Sequence, residues 1–138
     1  MKVLQTIQGL SASSGGPSTC TRDLLEGLED LGATVHLLTT ESADGKGPNL
    51  GKGSGWLIEV ANDYKTPLAV SANLQRALAE SDCDIYHTNG LWMYSNHVTC
   101  KMARAKKKPY IISPHGMLYP SALAIKRWKK WPMLKLWF

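Results

Sequence analysis

Short apolar runs rich in β-branched residues recur along most of the chain. Runs of this kind, bounded by glycine, proline or polar residues, are typical of strands buried in a sheet. Five of them predict strands, at residues 2–8, 34–40, 56–60, 84–88 and 110–113.

Segments with apolar residues at three- and four-residue spacing separate these runs and predict helices. Their predicted starts are Pro17 behind a Gly16 cap, the pair Thr66-Pro67, and about Ser95. The apolar face of the first helix is predicted to consist of Cys20, Leu24, Leu28 and Leu31. Strands and helices in alternation indicate an α/β fold, a mostly parallel, doubly wound sheet of Rossmann-like type.

Two segments depart from this alternation. The stretch Ser42 to Gly55 has five glycines and no apolar period, so it predicts a surface loop. The stretch Pro120 to Phe138 places tryptophans and cations at helical spacing until Pro132, which is expected to interrupt the helix. Because the chain ends on aromatic residues that need burial, we expect it to be a piece of a longer protein or to dock on a partner.

Composition is that of one ordinary globular domain over residues 1–138, with 43% hydrophobic and 20% charged residues. The net charge of +5 conceals an asymmetry, because residues 1–100 carry 6 Lys/Arg against 11 Asp/Glu and residues 101–138 carry 10 Lys/Arg and no acid. A basic segment attracts phosphorylated ligands, acidic membrane surfaces or nucleic acid. Nucleic acid is not expected as a partner, since no recognised nucleic-acid-binding motif accompanies the cations.

The cysteines and the hydropathy of the sequence indicate in which cellular compartment the protein is expected. Cys20, Cys83 and Cys100 are odd in number, widely spaced and follow no signal peptide, so we interpret them as reduced cytosolic thiols. No apolar run approaches the roughly 20 residues that a membrane-spanning helix needs. The sequence therefore excludes integral insertion into a membrane.

The first candidate site is the glycine-rich loop after the first strand. At Gly15 and Gly16 the missing side chains would let backbone N–H groups approach a ligand, and the following helix offers its positive end to a phosphate. The spacing fits neither the dinucleotide fingerprint nor the P-loop. A diphosphate site and a tight turn that requires glycine are equally compatible with this motif alone.

Two further loops follow strands in which polar residues end an apolar run. In the first, His87, Asn89 and Trp92 could border a sugar pocket, although His87 alone has no base partner or metal-ligand companion, and packing is the more common role of a tryptophan. In the second, Gly116 clears space beside His115, which favours a functional histidine. A histidine placed there could donate a hydrogen bond to a sugar hydroxyl or to phosphate oxygens and stabilise a leaving group.

Taken in order, these motifs resemble the N-terminal domain of family 4 (group 1) GT-B glycosyltransferases. The resemblance rests on Gly15-Gly16-Pro17-Ser18 at the head of a helix, on His87-x-x-Gly90-Leu91-Trp92 and on Pro114-His115-Gly116-Met117-Leu118, before a basic helix. It implies two Rossmann-like domains that face a cleft, with retaining transfer from a nucleotide sugar to a glycan or lipid-linked acceptor, and no metal or other cofactor. Only the first, acceptor-side domain would be present here, and alone it would be inactive.

The resemblance also implies roles for single residues. Gly15 and Gly16 would approach the donor diphosphate, and His115 would be the catalytic contact to the donor sugar or phosphate. His87, Asn89, Trp92 and Gly116 would line the acceptor or sugar pocket. The carboxylate pair that holds the donor would lie in the missing C-terminal domain. The expected location is the cytoplasm, with a peripheral position at the inner membrane face. The alternative is a standalone module that binds an anionic membrane surface or a partner through its basic tail.

Overall fold

A computed structural model describes residues 1–10, 16–40, 57–61 and 68–137, together with Gly55 and Asp63. The predictions that concern Gly15, the 42–54 loop, Trp56 and the Thr66-Pro67 cap lie outside the described residues. The fold is given below for the described part of the chain.

Five strands and five helices follow one another along this part of the chain. The strands are β1 (Lys2–Ile7), β2 (Thr34–Thr40), β3 (Leu57–Val60), β4 (Ile85–Asn89) and β5 (Tyr110–Ser113). The helices are α1 (Gly16–Asp30), α2 (Ala72–Glu80), α3 (Tyr94–Ala105), α4 (Pro120–Ala124) and α5 (Arg127–Trp137). None of the helices within the described residues is long and apolar enough to cross a bilayer.

The strands form a single parallel sheet in the order β3-β2-β1-β4-β5. The α/β Rossmann-like prediction is therefore confirmed. The chain builds the sheet outward from β1 to β3, returns, and adds β4 and β5 on the other side of β1. The order thus reverses between β1 and β4, and such a reversal opens a crevice beyond the carboxyl ends of the two strands.

Each face of the sheet packs against its own helices, because side chains alternate between the faces along a strand. On one face, Leu4 and Tyr86 are buried in a cluster with residues of α2 and α3. On the other, Val3 and Leu37 pack against Leu25 of α1. Gln5 pairs with His87 in the sheet and shares the α1 face with Val3. His87 and Asn89 of β4 thus lie on the α1 face, whereas Thr88 lies on the opposite face, where its hydroxyl accepts from Asn96 of α3.

The buried face of α1 differs from the prediction. Thr21 and Leu25 are buried, while Cys20 is exposed, Leu24 is 43% exposed and Leu31 is 85% exposed. The three- and four-residue spacing correctly indicated a helix, but it was compatible with two neighbouring faces. Docking against the strand residues decided between them, and only Leu28 of the predicted set is partly buried against the core.

The end of α1 follows the prediction. Gly32 has a φ of 80°, the left-handed conformation that glycine adopts without strain. The N–H of Gly32 donates to the carbonyl of Glu29 at 2.8 Å, and that of Ala33 donates to the carbonyl of Leu28 at 3.0 Å. These two bonds form a Schellman motif, which satisfies the last carbonyls of the helix and leads the chain into β2.

Two helix boundaries differ from their predictions. Helix α2 begins at Ala72, capped by the Ser71 hydroxyl, which accepts from the Leu74 N–H at 3.0 Å. In the tail, α5 continues through Pro132, and the break lies earlier, at Ile125 and Lys126, where Lys126 has a φ of 52°. Pro132 removes one hydrogen-bond donor, but it does not end the helix as the sequence led us to expect.

Candidate functional site

The candidate site lies at the edge of the sheet where β1, β4 and β5 end. Parallel strands bring the segments that follow them to one edge, so the loops after Ile7, Asn89 and Ser113 emerge side by side. Asn89 pairs with Ser113 in the register of β4 and β5. Polar residues that are 24 positions apart in sequence therefore lie on neighbouring strands.

The loop after β5 is a tight turn from Pro114 to Met117. The Met117 N–H donates to the Pro114 carbonyl at 2.9 Å, and both central residues have positive φ, 45° at His115 and 79° at Gly116. Such a turn favours glycine, and histidine is among the residues that tolerate the left-handed region best. A Cβ at Gly116 would lie 3.2 Å from the Tyr119 ring, so a larger residue would also displace this ring by a few tenths of an ångström.

This turn places His115 over the end of β4. His115 is exposed, and its Nε2 lies 2.8 Å from Oδ1 of Asn89. Asn89 is buried, and its Nδ2 donates to Oε1 of Gln5 at 3.1 Å and to the Thr6 carbonyl at 3.4 Å. A chain of hydrogen bonds thus runs from the sheet interior to an imidazole at the surface.

His87 lies deeper in the same region and is 7% exposed. Its Nε2 is 2.7 Å from the Ser113 hydroxyl, and the Ser113 carbonyl accepts from the Gly90 N–H at 2.8 Å. Burial lowers the pKa of His87, and positive charge on the neighbouring His115 lowers it further. His87 is therefore a neutral imidazole at pH 7 that links β4 to the end of β5, and His115 is the accessible imidazole of the two.

Asn96, in the first turn of α3, connects this edge to the helix behind it. Its Nδ2 donates to the Thr88 hydroxyl at 2.8 Å and to the Asn89 carbonyl at 2.9 Å, and its Oδ1 accepts from the Met93 N–H at 3.0 Å. Asn96 is fully buried, so these bonds replace water for its whole amide. They fix where β4 ends and α3 begins.

Trp92 packs against the tail. The Lys130 ammonium lies 5.3 Å from the centre of the Trp92 ring and donates to the Ala122 carbonyl. The indole N–H of Trp92 is buried and has no hydrogen-bond partner among the residues that the structure describes. The ring face predicted to line a sugar pocket is thus in contact with a cation of α5.

Gly16 is the first residue of α1, and a Cβ built on it meets no described atom within 4 Å. Open space of this kind is compatible both with a ligand that approaches the helix end and with a turn. Gly15 lies outside the described residues, so the double-glycine motif is described only at its second position.

The hydrogen bonds among the residues at this edge form one network, and the sequence analysis did not identify three of its members as site residues. Gln5, Ser113 and Asn96 all form part of it, and Gln5 is fully buried in the middle of β1. The available signal was Gln5 at an interior position of a predicted strand, because a buried amide needs partners that the local sequence does not supply.

Metal ligands do not converge at this edge. Within the described ranges, no group of three or more His, Cys, Asp or Glu side chains could hold a metal ion. A cleft between α4 and α5, about 280 Å³ in volume, is lined by none of the residues of this hydrogen-bond network. Its lining residues are Pro120, Leu123, Ala124, Arg127, Lys130 and Trp131.

Comparison with known proteins identifies the family. A family model described as "Glycosyl transferase 4-like domain" matches residues 15–138. The chain belongs to this glycosyltransferase family. No curated protein and no solved structure matches the chain. The glycosyl transferase 4-like domain thus includes all the loops described above except the exit of β1, and membership implies a sugar donor and an acceptor in general terms.

Proposed function

We propose that this glycosyl transferase 4-like domain is the acceptor-side half of a retaining glycosyltransferase that uses a nucleotide sugar. In the reaction, the bond between the anomeric carbon and the diphosphate oxygen breaks, and the nucleoside diphosphate leaves. An acceptor hydroxyl forms the new bond to the same carbon, and its proton passes to the leaving diphosphate. The observation that carries the proposal is His115, exposed on a left-handed turn at the reversal of strand order and held by a buried amide.

The residues have distinct roles in this proposal. His115 contacts the donor sugar or its phosphate and helps the sugar–phosphate bond ionise, so that the protein needs no nucleophile of its own. Gly15 and Gly16 allow the diphosphate to approach the N-terminus of α1. Trp92, His87 and Asn89 border the acceptor side, with His87 and Asn89 beneath its surface and Gly116 shaping the turn. No metal or other cofactor takes part.

The other half of the catalytic centre is assigned to a second domain. The sequence after Asp84 contains no acidic residue, so the described edge offers no carboxylate from β5 or the tail to hold a donor ribose or sugar. We assign the nucleotide and a carboxylate pair to a C-terminal domain that faces this edge. On this assignment the 138-residue chain alone does not transfer sugar.

We further propose that the enzyme works in the cytoplasm at the inner membrane face, where its acceptor is a glycan or a lipid-linked sugar. The support is the basic segment 101–138 and the exposed tryptophans of α5. We propose that this segment attaches the transferase to the membrane. We do not propose it as a separate binding module, since the family match includes the whole segment.

Release of nucleoside diphosphate tests the transferase proposal. The native polypeptide that contains these residues is supplied with UDP-, GDP- and ADP-sugars and with glycan or lipid-linked acceptors. We expect release with at least one donor, and we expect His115→Ala to lower kcat/KM by about 100-fold, as loss of a preorganised polar contact does.

The matched control is His36→Ala. His36 lies near the start of β2, beside Leu4 in the register and away from the carboxyl edge, so its loss should leave kcat/KM unchanged. Absence of release with every donor would overturn the transferase proposal. Equal turnover of His115→Ala and the unaltered enzyme would overturn the role of His115 alone.

A further inference from the structure

The carbonyl oxygen of Thr6 fixes the orientation of the Asn89 amide. The Thr6 carbonyl lies 3.4 Å from one end of that amide, and a backbone carbonyl only accepts hydrogen bonds. The amide nitrogen must therefore face β1. The amide oxygen then faces the other way, toward Nε2 of His115 at 2.8 Å.

Gln5 supports the same orientation from inside the sheet. Its Oε1 lies 3.1 Å from the Asn89 nitrogen, and Gln5 is fully buried between β2 and β4. If the Asn89 amide were reversed, its oxygen would face the Thr6 carbonyl, and rotation of the Gln5 amide could not relieve that repulsion. The two amides therefore form one directed chain of donors and acceptors.

The protonation of His115 follows from this direction. An amide oxygen only accepts, so Nε2 of His115 must carry the hydrogen of that bond. In a neutral imidazole the other nitrogen, Nδ1, then has a lone pair and no hydrogen. Among the described residues Nδ1 forms no hydrogen bond, and the residue is exposed.

We propose that Asn89 is a positioning residue that locks neutral His115 in the Nε2–H tautomer, and that Nδ1 accepts a hydrogen bond from a substrate hydroxyl. The second half of this statement rests on the proposed transferase function. A fully ionised phosphate oxygen has no hydrogen to give and would meet the lone pair of Nδ1. Of the two contacts proposed above for His115, neutral His115 therefore makes the one to a sugar hydroxyl, on the donor or on the acceptor, and not the one to the diphosphate.

The turn from Pro114 to Met117 and the Asn89 amide position different parts of His115. Positive φ at His115 and the Pro114–Met117 hydrogen bond set the direction of the backbone, and Gly116 leaves room for the Tyr119 ring. Nothing in the turn itself chooses between the two ring nitrogens, because the bond that does so comes from β4. Loss of Asn89 should therefore disturb the ring and not the turn.

Nitrogen NMR of the ring tests the tautomer. The chain is labelled with ¹⁵N-histidine and studied at pH 8.5, two units above the ordinary pKa of about 6.5 for an imidazole. The His115 resonances, assigned with His115→Gln, should show a protonated Nε2 and an unprotonated Nδ1. An Nδ1–H form or a mixture of tautomers in the unaltered chain would overturn the proposal, whatever the activity.

Variants of Asn89 provide the second readout. Asn89→Leu and the smaller Asn89→Ala both remove the acceptor for Nε2 and should give a mixture of His115 tautomers. The matched control is Tyr94→Phe, which removes the hydrogen bond from Tyr94 to Gln75 at 2.9 Å and should leave His115 unchanged. If Asn89→Leu does not fold, the tautomer of the unaltered chain and that of Asn89→Ala still decide the question. A single Nε2–H form in folded Asn89→Leu would contradict the role of Asn89.

Substrate analogues test the proposed hydrogen bond from a substrate hydroxyl to Nδ1 of His115. In the active enzyme, one monodeoxy analogue of the donor or acceptor should lose about tenfold in kcat/KM, the value of one hydrogen bond, and should lose nothing further in His115→Phe. A full series without such a member would overturn the hydroxyl assignment. The tautomer result does not depend on turnover, so failure of the proposed function and failure of this inference can be told apart.

Discussion

His87 and His115 lie within one network and have opposite surroundings. His87 is buried and bonded to the Ser113 hydroxyl, whereas His115 is exposed and bonded to Asn89. A positive charge on the exposed ring disfavours a second charge beneath it. Of the two imidazoles, His87 is therefore the one that the fold keeps neutral, and His115 is the one that a ligand can reach.

The buried histidine should make stability depend on pH. Its pKa is lowered in the folded state, so the unfolded chain, with an ordinary histidine pKa of about 6.5, binds the proton more readily. The contribution of neutral His87 to the free energy of unfolding is complete above about pH 6.5. It is lost as the pH falls from there through the pKa of His87 in the folded state. We expect the free energy of unfolding to decrease between pH 7.5 and pH 5.5, and His87→Gln to remove part of that decrease.

Urea unfolding at the two pH values measures this effect. His87→Gln retains a polar partner for Ser113, so the difference between the two pH values isolates the titration from the loss of the bond. His36→Gln on β2 is the control, and its decrease should equal that of the unaltered chain. An equal decrease in His87→Gln and the unaltered chain would show that His87 does not contribute to the pH dependence.

At the scale of elements, the sequence predicted all five strands to within one or two residues of their ends. Parallel strands are buried on both faces, and their β-branched runs between polar or glycine boundaries carry that information locally. The buried face of α1 was not predictable in this way. Whether Leu24 or Leu25 faces the sheet depends on contacts with β1 and β2, which no local pattern records.

The network at the site was only partly predictable for a related reason. His115 and Asn89 were found because each follows an apolar run at a strand end. The bond from Asn89 to Gln5 joins residues 84 positions apart, so only the strand order could reveal it. Lys106 is a further case, since its ammonium donates to the Leu78 carbonyl near the end of α2, at 2.9 Å and 28 positions away in sequence.

The contact between α5 and the loop after β4 predicts a difference between two neighbouring lysines. The Lys130 ammonium lies over the ring of Trp92, outside its own helix, whereas that of Lys129 lies 4.9 Å from the ring centre of Trp128, within the same helix. Lys130→Met should lower the free energy of unfolding by about 1 kcal/mol, because a tertiary cation–π contact and a hydrogen bond to Ala122 are lost.

Lys129→Met is the matched control, since it removes the same charge from an exposed pair on one helix and should change the free energy of unfolding by less than about 0.5 kcal/mol. Urea unfolding followed by circular dichroism compares the two variants. Equal effects would mean that the Trp92 contact does not hold α5 against the rest of the domain.

At the scale of the whole molecule, charge and exposed aromatic residues coincide. All acidic residues lie at or before Asp84, and the basic remainder includes α5, where Trp128 is 74% exposed and Trp131 is 54% exposed. Aromatic rings beside lysines are suited to the interface of an anionic membrane, where the rings enter the headgroup region and each cation contributes about 1 kcal/mol. The acidic part of the molecule, by contrast, should be repelled by such a surface.

We therefore expect the 138-residue chain to sediment with vesicles that contain phosphatidylglycerol and not with pure phosphatidylcholine vesicles. Binding should fall at 0.5 M salt, since the Debye length is then only a few ångströms, roughly 4 Å. The double variant Trp128→Ala/Trp131→Ala should weaken it by removing the aromatic contact. Leu31→Ala, an equally exposed apolar site beside the acidic end of α1, is the control and should not. If neither salt nor the tryptophan variant changes sedimentation, the tryptophans serve to pack against protein, and the inner membrane face is not where this transferase is held.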